Sequence, residues 1–257
     1  MMQFKTVLYE KKESIIIISL NRPKVLNAVN RQLTIDLLAA MRAAEADAEA
    51  KVVILRGEGR AFSSGADLSE APPAGSVSVE HRPDTLADIT RVMVKMPKVI
   101  IAAVQGYAIG AGMELAEDAD IRIVAEGTKF GATETNVGAT VTNAGTKLLT
   151  YYIGLGRAKE LLFTNEFMDA KEAFEYGLAN RVVPLEELDK AAMDMAKRIN
   201  ENSGVSLMLT KAAVNRALGM SIEDTLVMET RDAQISALTA EQGQRRKAAM
   251  DRLRAKE

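Results

Sequence analysis

The chain has 257 residues and no cysteine, and its 33 basic against 35 acidic side chains leave a formal charge of -2. These figures exclude a disulfide framework, a thiolate metal site and a cysteine nucleophile, and they give no electrostatic reason to expect nucleic acid as a partner. The length suffices for one large domain with its own apolar core. Lys5, Glu10, Lys11, Lys12 and Glu13 interrupt the N-terminal stretch, so it lacks the apolar run of a signal peptide, and no segment reaches membrane-spanning length. A cytoplasmic setting is expected.

The chain opens with two predicted strands, residues 4–9 and 15–20, separated by a charged turn at Glu10 to Glu13 and broken after the second by Asn21, Arg22 and Pro23. From Arg31, apolar Leu33, Ile35, Leu37, Leu38 and Met41 recur at helical spacing, and an alanine-rich stretch continues to Ala50. Residues 51–56 form a short β-branched strand. Residues 70–85, with Pro72, Pro73, Gly75 and Pro83 and no clear period, suit a mobile lid. The only histidine, His81, lies there and reads as a solvated loop residue rather than a catalytic one.

A helix over 86–96 ends at Pro97, and residues 99–104 are an apolar strand of the kind buried on both faces. It runs into Gly106-Tyr-Ala-Ile-Gly110-Ala111-Gly112, after which a short helix carrying Glu114 and a strand over 120–124 follow. Strand, small-residue turn, helix and strand repeat the plan of residues 51–67. Beyond Gly145 the periodicity is helical to the C-terminus.

Two strand exits, Phe62-Ser-Ser64-Gly65-Ala66-Asp67 and Gly106 to Glu114, present small residues where backbone N–H groups can face a ligand, as in an oxyanion hole. Each alone is also ordinary turn geometry. Spacing removes the familiar alternatives. Leu115 stands where a dinucleotide fingerprint needs its third glycine, Gly145-Thr-Lys147 is not a P-loop, and Ser64 has Phe62 where a nucleophile elbow needs glycine. Glu114 falls in the first turn of its helix, where the dipole favours an acid whatever its role, and Glu134 in a polar stretch reads equally as a solvated loop acid. The turn at Glu126-Gly127 allows the chain to reverse between them.

Four segments together resemble the crotonase, or enoyl-CoA hydratase/isomerase, superfamily over nearly the whole length: Asn21-Arg-Pro-Lys24-Val25-Leu-Asn27-Ala28, Ala61-Phe-Ser-Ser64-Gly-Ala66-Asp67-Leu68, Val104 to Ala116, and Phe130-Gly-Ala-Thr-Glu134. The resemblance implies an α/β crotonase fold: a ββα spiral core with the acyl-CoA site over residues 1–190, and a C-terminal helical trimerisation region over 191–257. It implies backbone N–H donors at Ala66 and Ala111, and catalytic glutamates at Glu114 and Glu134. It also implies coenzyme A contacts around Lys24, Val25, Ala28, Ser64, Asp67 and Leu68. No metal or separate cofactor is expected, since coenzyme A is part of the substrate, and a homotrimer or homohexamer is.

Retention of both acids favours hydration of a 2-enoyl-CoA, as in fatty-acid or related acyl-CoA degradation, with Glu134 donating a proton to carbon and Glu114 activating water. Isomerisation, or hydrolysis or cleavage of a functionalised acyl-CoA, is the alternative on the same scaffold. A non-catalytic acyl-CoA binding subunit is the alternative from another class. The departures lie near Glu134: Thr133 precedes it where hydratases carry proline, and Thr140, Thr142 and Asn143 occupy a loop that is usually rich in proline and glycine. Those polar residues fit either a functionalised acyl group or the backbone needs of a tight loop.

Overall fold

The computed structural model describes residues 4–70 and 85–254. The lid expected over residues 70–85 and the loop histidine His81 therefore fall on, or almost wholly on, residues outside the described ones.

A six-stranded sheet forms the centre, in the order β1 (Val7–Lys12), β2 (Ile15–Leu20), β3 (Val52–Gly57), β4 (Val99–Val104), β6 (Ile121–Ala125) and β9 (Arg181–Val183). Only β1, on the edge, is antiparallel; β2, β3, β4, β6 and β9 run parallel. Crossover elements lie between the parallel strands, as such pairing demands. A smaller sheet joins β5 (Tyr107–Ile109), β7 (Lys129–Gly131) and β8 (Met168–Asp169).

Alternation along the parallel strands divides the core into two layers. On one face Ile16, Ile18, Val53, Leu55, Ile100 and Ala102 pack with Leu33, Leu37 and Met41 of α1 (Arg31–Ala46) and with Ile89 and Met93 of α2 (Leu86–Lys95). On the other, Ile15, Ile17, Val52, Ile54, Ile101 and Ile123 meet Leu188, Ala192 and Ala196 of α7 (Leu188–Asn200). Each fully buried isoleucine or leucine contributes roughly 1.5–3 kcal/mol relative to exposure. Residue 190 falls within α7, which covers the sheet.

Two sequence expectations are corrected. Glu10, Lys11 and Lys12 do not form a turn; they continue β1 in register with Ile15 to Ile17, and the reversal comes at Glu13, with φ 56°. Charged residues suit this edge because its outer side faces water. The helix expected to reach Ala50 stops at Ala46, because the Asp47 carboxylate accepts from the N–H groups of Glu49 and Ala50 and turns the chain out. The Lys98 ammonium, buried beneath, donates to the carbonyls of Asp47 and Ala50 and fixes that exit.

After β9 the chain is helical through α8 (Gly204–Ala217), α9 (Ile222–Ala237) and α10 (Ala240–Arg254). Lys211 ties α8 to the core, donating to the carbonyls of Met93 and Lys98 and pairing with Asp120 at 2.8 Å. By contrast α9 buries none of its residues and leaves Ile222, Leu226 and Val227 exposed.

Candidate active site

Two strand exits run side by side. Ser63 donates its N–H to Tyr107 at 2.9 Å and accepts from Ile109 N–H at 3.1 Å, so the segment after β3 pairs with β5. Glycine is required where they touch: a Cβ on Gly65, at φ +91°, would meet the Ile109 carbonyl oxygen at 2.6 Å, and one on Gly112 would meet Ser63 at 2.7 Å.

On the first exit the Gly65 carbonyl accepts from Val29 N–H at 2.7 Å. Since a trans peptide points its C=O and N–H in opposite directions, the Ala66 N–H is aimed away from Val29. On the second, Ala111 is the first residue of α3 (Ala111–Glu117), so its N–H has no acceptor within the helix. Two small-residue N–H groups on touching segments are suited to one oxygen.

The stretch before Ala66 is held by Asn27, which is fully buried at φ 55°. Its side chain accepts from Arg22 N–H and donates to the carbonyls of Glu58 and Ala61, while its own carbonyl accepts from Ser63 Oγ. Of the residues expected to contact coenzyme A, Lys24 and Val25 are exposed on a short 3-10 turn and Leu68 is exposed on another. Ser64 joins the first turn through N–H to Leu26 and Oγ to Val25. Ala28 is buried with its carbonyl on the Arg22 guanidinium. Asp67 pairs with Arg22 at 2.9 Å and accepts from Ser69 Oγ at 2.6 Å, so its carboxylate binds the two turns together.

Glu114 and Glu134 line one narrow cavity with Gly110, Met113, Glu117, Ala132, Val141, Gly145, Leu149 and Leu162. A glycine faces each acid. A Cβ on Gly110 would stand 3.1 Å from Glu134 Oε1, and one on Gly145 3.3 Å from Glu114 Oε1.

The two carboxyls sit in different surroundings. Glu114 Oε1 accepts from the Thr142 N–H at 2.8 Å and from its hydroxyl at 3.3 Å, and Oε2 accepts from Asn143 Nδ2 at 2.6 Å. Glu134 Oε2 is buried and has no partner among the described residues. Burial, with the Glu114 charge adding to it, raises the Glu134 carboxyl above its ordinary range, against a backbone hydrogen bond that lowers it. The two carboxyls thus differ in their partners: three donors hold one, while the other keeps a buried oxygen without any.

Thr142 and Asn143 hold Glu114, and Asn143 and Ala144 take left-handed backbone, φ 48° and 64°, to reach it. Thr140 is exposed. The sequence offered the polar residues but no sign of their target, which lies 28 positions upstream for Thr142.

Sequence reasoning also missed the end of α3, every residue of which is buried. Arg122, 2% exposed, donates to the carbonyls of Ala116, Glu117, Ala119 and Leu178 and stacks on Tyr152 with its guanidinium carbon 4.1 Å from the ring centre. A cation at a helix C-terminus satisfies its free carbonyls and complements its dipole, which fixes the helix that carries Glu114. The one available signal was the charged sequence of Glu117 to Arg122 inside an otherwise apolar stretch.

Asp118 is buried there, and burial pushes its carboxyl up to about 8 although the Thr90 hydroxyl, donating at 2.7 Å, favours the charged form. The folded protein therefore keeps a proton on Asp118 that the unfolded chain releases near its ordinary value, so stability falls as pH rises from about 4 to about 8. Acids with lowered values, such as Asp36 and Asp88, are ionised in both states above pH 5 and add no slope. The melting temperature is expected to fall between pH 5 and pH 8, and Asp118→Asn to flatten that fall; equal slopes for the two proteins would refute the assignment.

A parallel sheet whose two small-residue strand exits pair with each other, beside two glutamates on one cavity, is the framework of this site. The chain belongs to the enoyl-CoA hydratase/isomerase family, which it matches over residues 10–251. It is 35% identical over 230 residues to the short-chain-enoyl-CoA hydratase of Clostridium acetobutylicum, spanning 89% of this chain and 88% of that one. It is 33% identical over 229 residues to the crotonyl-CoA hydratase of Syntrophomonas wolfei, again spanning 89% and 88%. The crystal structure of an enoyl-CoA hydratase from Bacillus anthracis superposes with a TM-score of 0.89 at 31% identity, covering 96% of this chain and 97% of that one. The crotonase fold expected from the sequence is the fold of the chain.

Proposed function

We propose that this protein is an enoyl-CoA hydratase, a hydro-lyase that adds water across the 2,3 double bond of a short 2-enoyl-CoA. The observation that carries the reading is the unequal carboxyl pair: Glu114 clamped by three hydrogen bonds as an acceptor, and Glu134 raised, with its buried Oε2 unpartnered among the described residues, on one cavity. Glu114 takes a proton from water as the oxygen attacks C3. Negative charge moves onto the thioester oxygen, where the N–H groups of Ala66 and Ala111 stabilise it. Glu134 then delivers its proton to C2, and water has been added without change of oxidation state. Each N–H donor contributes about 3–4 kcal/mol to the transition state in comparable sites.

No metal or cofactor enters this scheme, because the glutamates move the protons and backbone dipoles hold the charge. The exposed turns at Pro23–Val25 and Leu68–Glu70, with Ser64 between, are proposed to receive the coenzyme A part. The unpartnered apolar side of α9 supports assembly as a homotrimer or as a pair of trimers. Among the described residues no helix is long and apolar enough to cross a membrane. Together with the absence of cysteine, this is consistent with the cytoplasmic location we propose.

Incubated with crotonyl-CoA, the protein is expected to yield a product 18 Da heavier by mass spectrometry. A product of unchanged mass with a shifted double bond would support isomerisation instead, and release of the acyl group would support hydrolysis.

A further inference from the structure

Glu117 belongs to none of the steps above, yet it lines the same cavity as Glu114 and Glu134. Three residues along α3 from Glu114, it shares that helix's inner face and lies about 4.5 Å further along the axis. It is 3% exposed, and its Oε2 has no hydrogen-bond partner among the described residues. The nearby Arg122 and Tyr152 donate to its backbone carbonyl, not to its carboxyl. The remaining walls, Met113, Ala132, Val141, Leu149 and Leu162, offer it nothing polar. Burial, and then the charges of Asp118 and Glu114, raise its carboxyl well above the ordinary range, so it is a neutral acid that both donates and accepts.

A buried carboxyl with an unpartnered oxygen is costly to fold around, and a leucine would fill the place without that cost. Its presence points to a polar group that arrives with the substrate. On the hydratase reading, on which this inference rests, C3 of the acyl chain sits by Glu114. A group roughly three bonds beyond C3 then reaches the depth of Glu117.

We propose that Glu117 is a specificity-determining residue on the floor of the acyl pocket, selecting 2-enoyl-CoA thioesters that carry a hydroxyl or carbonyl oxygen near C5. The test compares 5-hydroxy-2-pentenoyl-CoA with 2-hexenoyl-CoA, which places a methyl where the first has a hydroxyl. The wild-type protein is expected to show a kcat/KM at least tenfold higher for the hydroxylated thioester, because a site built to hydrogen-bond an oxygen rejects the analogue lacking it. Glu117→Leu is expected to reduce that ratio at least tenfold, and Glu117→Gln, which keeps a donor and an acceptor, to retain most of it.

Equal kcat/KM values for the two thioesters in the wild-type protein would overturn the inference while leaving hydration intact, and would mean that Glu117 is met by a water molecule. A loss in Glu117→Leu that is the same for both thioesters would overturn it too, in favour of a role in proton delivery. Hydration of neither thioester, nor of crotonyl-CoA, would remove the hydratase reading and this inference with it.

Discussion

Glutamine in place of Glu134 is expected to lower kcat for crotonyl-CoA hydration about 10²–10⁴-fold, the range for loss of a positioned general acid. Thioester affinity should change little, because the carboxyl is used at C2 only as the transition state forms. The substitution keeps the size of the side chain, which matters because Gly110 leaves it no spare room: a Cβ there would already stand 3.1 Å from Oε1. The pH profile supplies a second readout. Burial and the Glu114 charge hold the proton on Glu134 above the ordinary glutamate range, so hydration should persist past that range and decline as the acid ionises at higher pH. That decline is the alkaline limb of the profile. That limb should disappear in the residual activity of Glu134→Gln. Unchanged turnover would remove Glu134 from the chemistry.

Proline at Ala111 is expected to lower kcat/KM about 10²–10³-fold by deleting one N–H donor to the thioester oxygen. The position is unusually suited to the experiment. Ala111 is the first residue of α3, where proline is tolerated because that N–H makes no helical bond. Gly110 before it, at φ 50° and ψ -121°, has no Cβ to collide with the proline ring. Ala111→Gly retains the N–H and should keep near wild-type kcat/KM, which separates loss of the donor from loss of the side chain. A fully active Ala111→Pro protein with a normal melting temperature would show that the oxygen is held elsewhere.

These two substitutions address different parts of the mechanism. Glu134 acts at carbon and Ala111 at oxygen, and the elements that carry them meet through Gly110, whose N–H donates to Gly131 at 2.8 Å. A displacement of either segment would disturb both functions, so melting temperatures belong beside every kinetic comparison.

Much of this protein was legible in its sequence because the information is local. Apolar runs at Ile15–Leu20, interrupted only by Ser19, and at Val99–Val104 specify strands, and both appear with those bounds and buried throughout. Small residues at Gly65 and Gly112 mark places where backbone must approach backbone, and Glu114 sits one turn into its helix as the pattern required. The short strands β5, β7, β8 and β9 were not separable from loop, since two or three residues carry no period; pairing with distant partners makes them strands.

What only the tertiary structure decided was the protonation logic of the site. Two glutamates are chemically identical in a sequence. They differ here because Thr142 and Asn143 fold back onto Glu114, while Glu134 is left with a buried, unpartnered oxygen. The same applies to Glu117 and Asp118: facing solvent, they would be ordinary surface acids, and burial of α3 together with the residue that caps it turns them into neutral ones. Sequence spacing sets which residues share a helix face, but desolvation depends on what the rest of the chain places over that face.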